Sequence, residues 1–542
     1  MSPRTGAMNW PGRSTTSGKS HQSPTLPGRY VTICRACRSS AVKQTGDKHV
    51  RQSPRGDGVG RARHRLRGPA LVAGRPAVRQ RRHRPCPHPG TRPPRARPGL
   101  RMNWLPPATA MAAALALVLH LDGSGLSLYG FAVFALLSAK LVASLLHRPT
   151  AATDEQRAAA RKLNVTAVVT VYNEDPVTFA RCLDSLLRQT RPPQHLVIVD
   201  DCSTDPRALE HARTPAVSEA FARAGIDYEV IAFTANRGKR QALAAAFRAH
   251  PEADVYLGID SDTVLGATAI SEGTVPFLSP DVNAVTGLVG ALNARTNLLT
   301  RLIDLRYANS FLYERAAYSL LGSVLCCCGS LAFYRARVIR ENLDDFLSQQ
   351  FLGRTATFGD DRRLTNYCLQ NGRVLLQPTA TAWTLVPETL GHYLRQQIRW
   401  NKSFVRESLW AVKSTPTRKP AFWLSLLELT SWITFTTLLL IALALTPLHA
   451  DAHILVLYLV YAMLVGYARS VRYLQTDHPG GMPFIERLGT FLLAPLYALL
   501  HLSLLLWVRL YSLATLKDNG WGTRETVEVA LTSSPPEVGR AA

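Results

Sequence analysis

Acidic residues are almost missing from the first 101 positions, where Asp47 and Asp57 face 23 Lys and Arg side chains. That stretch carries +21 of the chain's formal +25 and leaves only +4 for the other 441 residues. A strongly basic chain first suggests a nucleic-acid partner. The near-neutral body excludes nucleic acid as its partner. The same 101 residues lack apolar periodicity and are rich in Arg, Pro, Gly, Ser and His. They cannot bury enough surface to offset their ordering entropy, so they read as a basic disordered tail. Its functional reading is an electrostatic tether to anionic lipid or nucleic acid. Met102, followed by Asn-Trp-Leu-Pro-Pro and an apolar run, reads as a natural start, which makes the tail incidental. Peptides from before Met102 in mass spectra of the native protein would refute that.

Cysteine offers no disulfide framework. Nine are scattered along the chain, and adjacent Cys326-Cys327-Cys328 cannot bridge one another with normal geometry. Cys34-Arg-Ala-Cys37 has zinc-like spacing, yet no second ligand pair follows at a usual interval. Reduced thiols facing the cytosol and no structural zinc are expected.

Long apolar runs are lacking between about 150 and 415 and present on both sides. Stretches 105–121 and 126–146 form a transmembrane hairpin in this reading, given that a bilayer core takes about 20 apolar residues. Lys140 then snorkels towards the headgroups. Further spans are expected at 421–446 and 453–468, where flanking Arg469 and Arg472 point to cytosolic ends. Pro495 breaks the last block, 485–516, into two pieces too short to span. A re-entrant or kinked hairpin returns the chain to the cytosol, with non-helical backbone covered by protein.

Within 148–415, short β-branched runs at Val165–Val171, Leu196–Val199, Tyr228–Phe233 and Val255–Ile259 alternate with helical segments such as Pro176–Gln189 and Lys239–Ala249. Such alternation predicts an α/β fold with a parallel-rich sheet and helices on both faces. Ligands then sit at the carboxyl ends of the strands. Three runs end in suitable polar residues: Tyr172-Asn-Glu174, Asp200-Asp201 and Asp260-Ser-Asp262.

Asp260 and Asp262, one residue apart at a strand end, can share a divalent ion with the diphosphate it bridges, and magnesium and manganese both favour oxygen ligands. A solvated turn is the bland alternative for that pattern. Asn236-Arg-Gly-Lys239 opens a helix whose N-terminus and lysine favour phosphate; a solvated basic helix start fits equally. Gly359-Asp360-Asp361-Arg362 pairs two carboxylates, whose repulsion raises one pKa into the range of a general base, unless Arg362 neutralises them structurally. Gln396, Arg399 and Trp400 share one helical face, as a sugar platform with hydrogen-bond donors or as an interfacial membrane anchor.

Taken in order, Asp201, Asp260-Ser-Asp262, Asp361 and Gln396-Gln-Ile-Arg399-Trp400 resemble the processive, inverting family-2 glycosyltransferases. That family includes cellulose, chitin, chitin-oligosaccharide and hyaluronan synthases. Longer stretches are most similar to bacterial hyaluronan synthases: Phe351-Leu-Gly, Gly359–Tyr367, Tyr393–Ser408, Phe491–Tyr497, Leu510–Leu513 and Trp521-Gly-Thr-Arg524. The resemblance spans about 105–525.

It implies a cytosolic nucleotide-diphospho-sugar transferase domain inserted between transmembrane helices of a multi-pass cell-membrane protein. Residues 416–516 would be transmembrane and re-entrant, and 517–542 a cytosolic tail. By resemblance, Asp201 contacts uridine, Asp260 and Asp262 hold Mg2+ or Mn2+ with the diphosphate, and Lys239 lies near the donor. Asp361 is the general base, and Trp400 and Cys328 serve the acceptor. Gln396, Arg399, Trp521 and Arg524 hold the pyrophosphate. The implied partners are UDP-GlcNAc, UDP-GlcA, the growing polysaccharide and the lipid bilayer. One departure stands at Cys326-Cys-Cys-Gly-Ser330, where the family usually reads Cys-x-Gly-Pro. Ser330 replaces that proline, and the triple cysteine is similar to the chitin-oligosaccharide synthases, which use UDP-GlcNAc alone. A non-catalytic membrane protein keeping the fold for binding or transport is the reading from another class.

Overall fold

The computed structural model describes residues 125–449 and 452–518, with a few helical residues between 108 and 115. The 1–101 tail with Cys34 and Cys37, most of the first apolar stretch, and Trp521 and Arg524 lie outside the described residues.

The four runs read from the sequence are strands β1 (Val165–Val171), β2 (His195–Asp200), β3 (Asp227–Ala232) and β4 (Val255–Asp260). They pair in parallel in the order β3-β2-β1-β4. All seven residues of β1 are buried, as a central strand covered on both faces requires. The helix Pro176–Leu187 starts where Asp175 accepts the Thr178 N–H at 2.9 Å and Pro176 presets the first turn.

Beyond β4 the sheet changes character. Strands β5 (Thr263–Leu265), β6 (Val282–Ala291) and β7 (Ala332–Arg335) precede a two-residue hairpin, β8 (Gln350–Phe351) and β9 (Arg354–Thr355), and then β10 (Arg373–Thr384). The eight-stranded order is β3-β2-β1-β4-β7-β6-β10-β5. Strand β7 runs antiparallel to both β4 and β6, and β5 antiparallel to β10. The sheet is therefore mixed, an α/β arrangement less uniformly parallel than the alternating pattern alone suggested. β10 follows the helix Asp360–Asn371 and pairs in parallel with β6, which brings Asp360 and Asp361 to the same edge as Asp260.

Four helical segments adjoin this domain: Gly125–Leu146, Pro420–His449, Ala452–Ser470 and the run Phe484–Ala514. Among the described residues, Phe484–Ala514, 31 residues, is long and apolar enough to cross a membrane by length and composition. A break stands at the expected place, with one helical piece ending at Leu492 and the next, Ala494–Leu500, starting beside Pro495. The proline occupies the start of the second helical piece, where no N–H is needed, and Tyr497 N–H still bonds Leu493 C=O at 3.2 Å. Both ends of the run meet the α/β domain. Glu486 pairs with Arg295 at 2.8 Å, and the Asp518 carbonyl accepts from Lys402 at 3.2 Å. Lys140 needs a correction: it does not snorkel but turns inward to Glu428, which also accepts from the Tyr318 hydroxyl. A carboxylate on the neighbouring 420–449 helix offers a stronger partner than a distant headgroup.

Candidate active site

A cavity of about 1100 Å³ opens at the carboxyl ends of the strands. Its wall includes Glu174, Lys239, Asp260, Asp262, Cys328, Asp361, Gln396, Arg399 and Trp400. These residues, far apart in the chain, converge because β4, the 239–249 helix, the 360–371 helix and the 390–414 helix all end or begin there.

Asp260 is held from two sides. Lys239 Nζ donates to Oδ1 and Ser330 Oγ to Oδ2 at 2.9 Å. Asp262 Oδ1 accepts from Thr384 Oγ1 at 2.8 Å, and Ser261 Oγ donates to Glu174 at 2.6 Å. Gly329 closes over this pair: a Cβ there would lie 3.4 Å from both Asp260 oxygens and 3.6 Å from Lys239 Nζ. An all-oxygen donor set beneath bare backbone fits a hard divalent ion. Ser330, the departure from the family pattern, thus reaches a carboxylate that a proline could not.

Asp361 opens the 360–371 helix. Its Oδ1 accepts the Arg362 N–H at 2.8 Å and its Oδ2 faces Cys326 Sγ at 3.4 Å. Burial, and then the neighbouring Asp360 charge, hold its carboxyl above the usual carboxylate range. Asp360 itself lies 3.6 Å from Arg240 Nε. Gly359 caps this helix at φ +88°, and a Cβ there would meet Ser403 Oγ at 2.4 Å. Beneath, Arg363 donates to Glu407 at 2.8 Å and lies 4.0 Å above the Trp410 ring. This buried pair locks the 360–371 helix to the 390–414 helix.

On that second helix, Gln396, Arg399 and Trp400 all face the cavity. Trp400 keeps 38% of its surface exposed, with Arg306 5.6 Å above its ring and Tyr307 at 6.4 Å. Sequence reasoning missed Arg306 and Tyr307, which have no motif around them. The helix that carries them, Leu298–Ala308, passes into a π-helical turn at Asn309–Arg315, and Arg315 bonds the Cys326 carbonyl at 2.9 Å. Such turns recur at functional sites.

Asp201 is not brought to the cavity wall. Its oxygens accept the backbone N–H groups of Arg237 and Gly238 at 2.7 and 2.8 Å. The amides expected to favour phosphate before the 239–249 helix are therefore taken by Asp201, while Lys239 reaches the cavity.

The cavity continues past Trp400 between the apolar helices, where Leu136, Lys140, Glu428, Tyr461, Tyr497, His501 and Arg509 line it.

Residues 162–403 match a family described as glycosyltransferase like family 2. A hyaluronan synthase of Streptococcus pyogenes is 38% identical over 410 residues, 75% of this chain and 92% of its own. An N-acetylglucosaminyltransferase of Azorhizobium caulinodans is 33% identical over 376 residues, 67% of this chain and 87% of its own. A solved mannosyltransferase from Pyrobaculum calidifontis covers 77% of this chain and 98% of its own at 19% identity, with a TM-score of 0.42, a likeness too remote to carry an argument.

Proposed function

This chain belongs to glycosyltransferase family 2, and we propose that it is a membrane-embedded, processive, inverting synthase of hyaluronan type. On this reading it draws alternately on UDP-GlcNAc and UDP-GlcA. The observation that carries the proposal is the single cavity running from Asp260, Asp262, Asp361 and Trp400 into the space between the apolar helices. A polymer growing at Trp400 would have a continuous path away from the donor site.

In this mechanism Asp361 takes the proton from the acceptor hydroxyl, and the freed oxygen pair attacks the anomeric carbon from the face opposite UDP. The carbon–oxygen bond to the diphosphate breaks and its electrons leave with UDP, giving a β-linkage from an α-linked donor. Asp260 and Asp262 would hold a magnesium or manganese ion, which supplies positive charge at the diphosphate when bound. Lys239 and Arg399 add fixed positive charge on the same wall, and preorganised charge of this kind is usually the largest catalytic term. Trp400 offers its exposed face to the sugar's C–H surface. Trp521 and Arg524 are proposed to reach the pyrophosphate from the C-terminal tail, and Asp201 to meet uridine once the 236–238 turn releases it. Cys328, on the cavity wall near Ser330, is assigned to the acceptor side.

Embedding in a membrane is supported by large apolar side chains left outward on the helices, among them Phe131, Trp423, Ile433, Leu492 and Trp507. Arg472 bonds the Leu312 and Ser144 carbonyls at 2.7 and 2.9 Å, which supports a cytosolic end for the 452–470 helix beside the catalytic domain. One specific feature favours a second reading, a chitin-type enzyme using UDP-GlcNAc alone: the Cys326–Ser330 segment and the 33% identity to the N-acetylglucosaminyltransferase. UDP release by purified membranes supplied with UDP-sugars tests the reaction class. Absence of release with every donor combination would instead support a non-catalytic protein.

A further inference from the structure

At the opposite end of the sheet from the cavity, two histidines and a glutamate converge. His195 opens β2, His250 closes the 239–249 helix, and Glu252 precedes β4. Strand β4 has six residues, so this cluster lies roughly 20 Å from Asp260 at about 3.3 Å per residue.

We propose that His195, His250 and Glu252 form a transition-metal site, best matched by zinc, that ties the starts of β2 and β4 to the 239–249 helix. Glu252 Oε1 lies 2.9 Å from His250 Nδ1 and 3.6 Å from His195 Nε2. The three ligand atoms all fall within 4.8 Å of one another. Ligands bonded to zinc at about 2.0–2.1 Å in a tetrahedron are roughly 3.3–3.4 Å apart, so a shift of a few tenths of an ångström completes the set.

The surroundings are those of metal-binding imidazoles. Each ring turns one nitrogen to Glu252 and the other to a second carboxylate: His195 Nδ1 to Asp227 at 3.3 Å, and His250 Nε2 to Glu229 at 3.5 Å. That outer carboxylate fixes the tautomer and raises the basicity of the metal-facing nitrogen. The His250 side chain is only 9% exposed.

The two rings stand 4.3 Å apart, close enough to share one ion. Two imidazoles and a carboxylate select zinc over magnesium or calcium, and half-exposed Glu252 leaves a fourth position open to water. This differs from the expectation of no structural zinc, which rested on cysteine spacing; His195 and His250 are 55 residues apart in sequence and carry no motif.

The test uses the full chain in detergent, stripped of metal by a chelator and equilibrated with zinc in excess magnesium. Zinc is counted by elemental analysis, which does not depend on transferase activity. The wild type is expected to retain one equivalent more than Glu252→Gln and than His195→Ala, and zinc should raise its unfolding temperature but not theirs. Glu252 is half-exposed, so E252Q keeps the comparison decisive should H195A fail to fold. Equal zinc content in wild type and E252Q overturns the proposal, as does a wild-type unfolding temperature that zinc leaves unmoved.

Discussion

The thiol of Cys326 points at the carboxylate of Asp361, with Sγ 3.4 Å from Oδ2. Burial, and then the charge of Asp361, push that thiol up to about 12, so it stays protonated and acts as a donor. Asp361 works as a base only when ionised, and its own pKa is raised by burial and by Asp360. Activity is therefore present above that raised value and is lost as pH falls through it. Cys326→Ala removes a donor to the charged form and should move the acid limb of the kcat profile further up. An acid limb at the ordinary carboxylate position, or a downward move in the variant, contradicts this assignment.

Asp361→Asn keeps the shape of the site and removes the base. Transfer should fall by about 10²–10⁴-fold, the usual worth of a general base, while UDP binding by calorimetry is retained. Unchanged turnover would remove Asp361 from the role.

The Arg363–Glu407 pair is buried on both sides, with 3% and 1% of the side chains exposed. Glu407→Ala leaves Arg363 only the longer pair with Asp345 at 3.4 Å and also removes the acceptor of Gln349 Nε2, which bonds it at 2.6 Å. The expected loss is about 3–5 kcal/mol of stability, read from thermal or denaturant unfolding. A loss below about 1 kcal/mol, the range of exposed pairs, would mean that the two helices are held by something else.

Gly359→Ala meets two obstacles, the contact with Ser403 Oγ and a left-handed φ of +88°. Adding Ser403→Ala relieves the first and leaves the second, about 1–2 kcal/mol for an L-residue. The double variant should therefore recover part, not all, of the lost stability. Full recovery would show that the backbone strain is absent.

Much of this was legible in the sequence where residues act locally. β1 and the 239–249 helix have the bounds read from the sequence, and β2, β3 and β4 differ by a residue or two at their ends, because β-branched runs and polar strand ends sit side by side in the chain. The 390–414 helix presents Gln396, Arg399 and Trp400 to the cavity because i, i+3 and i+4 share a face. What escaped depends on contacts across the fold. The antiparallel insertion of β7 between β4 and β6 is set by long-range pairing, and its four residues carry no periodicity of their own. Arg306, Tyr307 and Thr384 reach the site only through packing. Lys140 turned inward because Glu428, 288 residues away, offers a carboxylate. The break beside Pro495 was legible, because a proline fits the start of a helix and not its interior.

The measurement that bears most directly on the central claim is donor dependence. Purified membranes containing the full chain are supplied with UDP-GlcNAc alone, UDP-GlcA alone, or both, with magnesium or manganese, and high-mass product is quantified. The hyaluronan-type account predicts polymer only when both donors are present. Polymer from UDP-GlcNAc alone would contradict it and favour the chitin-type reading.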